Sequence, residues 1–147
     1  MKVESTAAWL ARTILCLVLS SCAQQPAATN DQPVALSLSN AGTEPVRCRM
    51  MFGHWVDRDL GELAPGAEMS IAMTQSAVDG ALYVIRSDGQ RRMMIETIQC
   101  AQPGRWTQSV GQVDLAPIRT RRVHSVEANC AAPTGGGRIA CTLDRID

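Results

Sequence analysis

The methionines offer the first possible chemistry. Met51 and His54 stand three residues apart in MMFGHW, and Met93 and Met94 are adjacent in RMMIET. Thioether and imidazole ligands together suit Cu(I), a soft cation. Met51, His54 and one of Met93 or Met94, all turned outward, would be the smallest such site. Met50, Met69 and Met73 fall instead on alternating apolar faces, where methionine is a soft gap-filler. Composition without a defined ligand spacing does not make a metal site, so the expectation is no metal and no cofactor.

Catalysis has less to draw on. The histidines are His54 and His124, and neither G-x-S-x-G nor H-E-x-x-H occurs. HWVDRD sets Asp57 and Asp59 near His54, but the two acids flank Arg58. That segment reads as a solvated strand or loop with weak local ion pairing. The expectation is a protein that is not an enzyme.

RTRRVH concentrates positive charge. On a strand, Arg119 and Arg121 would point one way, and Arg122 and His124 the other. Neither side would be apolar, as in an edge strand whose charge blocks pairing between molecules. Arg119, Arg121, Arg122 and His124 are also the candidate site for an anion or an acidic partner, since guanidinium forks fit carboxylates and phosphates.

Whether the cysteines are reactive depends on where the chain lives. Lys2 and Arg12 precede a short apolar run, Thr13 to Ser21, with Glu4 as the acid before it. The run is far below the about 20 residues that cross a bilayer, and with its basic start it reads as a secretory signal. The run ends in Leu19-Ser20-Ser21-Cys22, which resembles the lipobox of bacterial lipoproteins. That resemblance implies cleavage before Cys22 and acylation of its sulfur and its new amino terminus. Ala23, standing where an aspartate would mark inner-membrane retention, implies the outer membrane, with the protein facing the periplasm. The resemblance covers 22 residues and does not extend to the folded domain. Each buried methylene contributes about 0.8 kcal/mol, so several acyl chains anchor a protein durably.

With Cys16 in the signal and Cys22 acylated, Cys48, Cys100, Cys130 and Cys141 remain. An even number in an exported domain implies two disulfides, and no C-x-x-C pair suggests a redox or zinc site. Cys130 and Cys141 bracket AAPTGGGRIA, which suits a hairpin return. The expected connectivity is therefore Cys48–Cys100 with Cys130–Cys141.

The organisation follows: a signal at 1–21, an acylated cysteine and tether at 22–33, and one domain at 34–147. AQQPAATNDQP has no apolar period and could span roughly 40 Å when extended. Beyond it, about 115 residues suffice for a single domain. Leaving out Lys2, Arg12 and Glu4 removes the one lysine and leaves twelve basic and thirteen acidic side chains. A balance so close to neutral argues against nucleic acid as a partner.

The dominant period is two. Val34, Leu36 and Leu38 alternate; so do Val46, Cys48, Met50 and Phe52, and so do Met69, Ile71 and Met73. ALYVIR and RMMIETIQC flank SDGQ, a hairpin signal with Asp88-Gly89 at its tip. Arg119 to Glu127 and Arg138 to Leu143 complete seven or eight short strands. The expected fold is all-β, a small antiparallel β-sandwich or alternatively a small β-barrel, stabilised by two disulfides.

The function expected from these features is a lipid-anchored, periplasm-facing binding or accessory module with an envelope protein as partner. SAVDGALYV, Ser76 to Val84, resembles a loop in small lipid-anchored lysozyme inhibitors, which implies as an alternative an envelope inhibitor of a hydrolase. The Met, His and Trp content is similar to that of small periplasmic copper carriers, and Cu(I) binding is the other alternative.

Overall fold

The computed structural model describes residues 30–53, 56–86, 89 and 92–147. The expected signal, Cys22, most of the tether, His54 and Asp88 lie outside these residues. Among the described residues the chain forms nine strands and two single-turn helices. They are β1 (Gln32–Asn40), β2 (Val46–Phe52), β3 (Val56–Leu63), β4 (Glu68–Gln75), β5 (Leu82–Ile85), β6 (Arg92–Ala101), α1 (Trp106–Ser109), β7 (Gly111–Val113), α2 (Ala116–Arg119), β8 (Ser125–Ala131) and β9 (Ala140–Ile146).

Alternation in the sequence becomes alternation in burial. Val34, Leu36 and Leu38 are buried along β1, as are Val46, Cys48, Met50 and Phe52 along β2. Met50 and Met73 are core residues and Met69 packs partly buried against them, as their spacing predicts. β1 is the hub. It runs antiparallel to β4, with Leu36 opposite Ile71, and parallel to β8, with Leu36 opposite Val126. The strand order is β3-β2-β6-β5-β4-β1-β8-β9, with β7 also on β6. The all-β expectation is met by one mixed sheet in place of a purely antiparallel arrangement, because β1 and β8 are parallel. The barrel alternative also fails, since the sheet does not close.

Both disulfides join residues directly opposite each other, at a Cα–Cα distance of 4.1 Å. Cys48–Cys100 links β2 to β6, and Cys130–Cys141 links β8 to β9, in the expected connectivity. In the strand order, β5, β4 and β1 stand between these two pairs. Even so, the Sγ atoms of Cys100, Cys130 and Cys141 lie within 4.8 Å of one another. The sheet must therefore fold over until its disulfides touch. The chain ahead of β9 returns to the segment before β7, where Ile139 N donates to Ser109 O at 2.7 Å. Gly111 permits this approach: a Cβ there would stand 1.9 Å from Ile139 O.

Two boundaries differ from expectation. β1 starts at Gln32, two residues before Val34, and Asp31 is already fixed by an ion pair to Arg92. Arg119 to Glu127 is not one strand. Pro117 lies in the opening turn of α2, Arg119 ends that helix, and β8 begins only at Ser125. The edge-strand reading of the arginines is therefore overturned. A one-turn helix has no period to detect, and proline favours a helix start.

Arg119 fills a break in the sheet. β5 pairs with Arg92 to Met94 of β6, and β7 with Ile98 to Cys100. Between those ladders β6 bulges: Phe52 faces Ile95 and Met51 faces Thr97, leaving Glu96 as the extra residue. A bulge leaves backbone groups without ladder partners. Arg119 Nη2 donates to the carbonyls of Ile95 and Glu96, both at 2.8 Å. Gln75, nine-tenths and more buried, fixes the turn that follows, donating to Ile118 O at 2.6 Å and Arg121 O at 2.8 Å.

The arginines should therefore separate in stability measurements. Arg119→Met should cost about 1–3 kcal/mol, the penalty for leaving the part-buried Ile95 carbonyl and its bulge neighbour without a donor. Arg121→Gln and Arg122→Gln, at exposed positions, should each stay within about 0.5 kcal/mol. Urea unfolding of the three variants measures both; equal losses would contradict the bulge assignment.

Candidate functional site

Three loops converge where β1, β6 and β8 end. They bring together Thr43, Glu44 and Pro45; Gln102, Pro103 and Arg105; and Ala132 to Gly136. Two of the loops are each tied down by a buried polar group. Asn40, 1 % exposed, donates to Glu44 O at 2.8 Å and Leu63 O at 3.0 Å, and accepts from Gly42 N at 2.9 Å. Ser109, also 1 % exposed, accepts from Gln102 N at 2.9 Å and donates to Arg105 O at 2.7 Å. The third loop is closed by Cys130–Cys141 and turns through Gly135, Gly136 and Gly137, all at positive φ.

The loops are also fastened to one another. Ala41 N donates to Cys130 O at 3.1 Å, and Ile139 N reaches Ser109 O. A Cβ on Gly42 would lie 3.2 Å from Ala132 N. Together they frame a cleft walled by Pro45, Pro103 and Pro133, with Arg105 reaching across toward Gly136. Among the described residues Arg105 has no ion-pair partner. Gln102 Oε1 is buried in this wall and accepts no hydrogen bond, which is costly unless something else supplies a donor.

Gln102 and Pro103 also line a second depression, with Arg47, Arg49 and Trp106. The Arg49 guanidinium lies 4.3 Å from the centre of the Trp106 ring, a cation–π contact. Arg47 Nε donates to Asp59 at 3.1 Å, and Arg49 pairs with Asp57 at 3.5 Å. That hydrogen bond from Arg47 holds the Asp59 carboxyl below its ordinary range. Asp57 and Asp59 thus sit on a strand with cross-strand ion pairing.

The residues singled out in the sequence fall elsewhere. Arg121, Arg122 and His124 are exposed around the start of β1, where Gln32 Nε2 donates to Val123 O at 2.6 Å and contacts His124 Nδ1 at 3.1 Å. Arg119 is spent on the bulge. Met93 turns toward the core, whereas Met94 is 45 % exposed beside Tyr83. Met51 stands beside Thr97, roughly 10 Å along β6 from Met94. Met51 and Met94 therefore do not share a ligand position, and His54 lies outside the described residues. Cys100, Cys130 and Cys141 are close enough to hold an ion, but all three are disulfide-bonded. Their proximity is disulfide packing.

Sequence reasoning did not find the cleft. Its parts, Pro45, Gln102, Arg105 and Pro133, are scattered over three connections, and only the fold gathers them. The one local signal was the Pro and triple Gly between Cys130 and Cys141.

Asn40→Ala should destabilise the domain by about 2–3 kcal/mol, because two carbonyls and an amide lose their partner together. Chemical denaturation measures it, and a loss below about 0.5 kcal/mol would show that Asn40 does not hold the loop.

No known protein family matches this chain, and neither the curated proteins nor the solved structures include a similar one.

Proposed function

We propose that the chain is a lipid-anchored binding or accessory module of the outer membrane, facing the periplasm and without catalytic activity. The folded-over sheet serves it as a two-layer sandwich scaffold. Acylated Cys22 is its membrane attachment, and an envelope protein is its partner. One observation carries this reading: β1 starts beside the expected tether and ends at the cleft. Its nine residues span about 30 Å, so an anchor at one end leaves the cleft open at the other. Two disulfides support passage through an oxidising compartment.

The cleft suits a protein segment. Proline walls give rigid apolar contact, the Gln102 amide, turned out from its buried position, accepts from a backbone N–H, and Arg105 takes a carboxylate. The Ser76–Val84 segment, on which the inhibitor alternative rests, lies at the tether end, away from the cleft. That makes a hydrolase the less supported partner.

Two measurements test the reading. Cys22→Ser should abolish fatty-acid labelling; if wild type takes up no label and the serine variant still fractionates with membranes, the anchor is disproved. The lipidated protein, cross-linked in intact cells, should recover a specific envelope protein. Gln102→Met with Arg105→Gln should lower that recovery about tenfold or more, as loss of a hydrogen bond to a charged group implies. Its melting temperature should hold, since Gln102 Oε1 has no protein partner to lose. Undiminished recovery would remove the cleft from the binding site.

A further inference from the structure

The opposite end of the domain has its own chemistry. Asp31 accepts from Ala77 N at 3.3 Å and pairs with Arg92, so the start of β1 is pinned against the β4–β5 turn. Val78, at the tip of that turn, is 95 % exposed. Its neighbour Asp79 is turned back, accepting from Ala81 N at 3.0 Å. Gly80 seats the turn against α2, because a Cβ there would stand 2.0 Å from Arg119 O. The chain leaving α2 is held by its backbone: Arg121 O accepts from Gln75 and Val123 O from Gln32. Its side chains are left outside, with Arg121, Arg122 and His124 exposed. Among the described residues neither Arg121 nor Arg122 has an ion-pair partner.

An apolar tip and two unpaired arginines thus flank the residue at which the chain from Cys22 arrives. Eight residues lie between Cys22 and Asp31, so an acylated Cys22 cannot sit more than roughly 30 Å from this end. We infer that this end is a second, non-covalent contact with the bilayer, in which Arg121 and Arg122 bind the phosphates of anionic phospholipids and Val78 enters the interface. Guanidinium forks match phosphate oxygens, and basic groups near an anionic leaflet are attracted within a Debye length. The anchor keeps the local lipid concentration high, so a contact too weak to act alone still orients the domain. The cleft then points away from the membrane. This inference rests on the lipid anchor proposed above.

The test uses the lipidated full-length protein in two kinds of vesicle. One contains phosphatidylethanolamine with phosphatidylglycerol, and the other phosphatidylcholine alone. Amide hydrogen exchange at residues 77–80 and 120–124 should be roughly tenfold slower on the anionic vesicles. Added salt should remove the difference, and so should Val78→Ser with Arg121→Gln and Arg122→Gln. Equal exchange on both vesicles, with the protein still sedimenting with them, would overturn the contact and leave the anchor standing. Protection that follows protein concentration instead of lipid charge would mark a self-contact and also overturn it. A wild-type protein that neither takes up fatty acid nor sediments would remove the anchor, and this inference with it.

Discussion

The contact between the two disulfides is the constraint on which the rest of this structure depends. Cys48–Cys100 and Cys130–Cys141 belong to distant parts of one sheet, yet Cys100 packs against the second pair. Cys48, Cys100 and Cys130 are fully buried. The chain-entropy estimate gives about 4 kcal/mol for the 52-residue separation and about 3 kcal/mol for the 11-residue one. Such terms weigh heavily in a domain of this size, whose total stability is a small difference between large opposing ones. The domain has few aromatics to fill its centre, and the sulfur pairs occupy that space.

The shape that follows sets what each end can do. Folding the sheet over brings the β8–β9 loop beside the turns after β1 and β6, and the three make the proline-walled cleft. It also leaves a break along β6, which Arg119 closes with two hydrogen bonds to the bulged carbonyls. The turn that delivers Arg119 is the one that carries Arg121 and Arg122 to the start of β1. A single short segment therefore seals the sheet and arms the end nearest the proposed anchor. Arginine next to arginine in RTRRVH hides this division of labour: one side chain is structural and its neighbours are solvent-facing.

Much of the fold was legible because its strands are half-buried and their alternation is strong. Leu36, Leu38, Val46, Met50 and Met73 sit where a period of two puts them. The disulfide connectivity was legible too, from the hairpin-like spacing of Cys130 and Cys141. Parallel pairing of β1 with β8 was not, since it joins segments about 90 residues apart through no local turn. β3 escaped firm assignment because VDRDL is exposed along most of its length and held by cross-strand ion pairs with β2. The cleft was illegible for a stronger reason. Its residues carry no motif, and only the buried anchors Asn40 and Ser109, ordinary in the sequence, hold its loops in place.

Amide hydrogen exchange on a protein lacking only the second disulfide tests the central claim most directly. In Cys130→Ala with Cys141→Ala, the amides of Ile139, Gln102 and Gly42 should exchange much faster than in the oxidised wild type. The β1–β4 ladder around Leu36 and Ile71 should keep its protection, because local openings differ from global unfolding. That pattern would show the touching disulfides holding the folded-over sheet and its cleft, while the β1–β4 ladder is held by its own pairing. Unchanged exchange at Ile139, Gln102 and Gly42 would contradict the account, as the loops would then be held without the clasp.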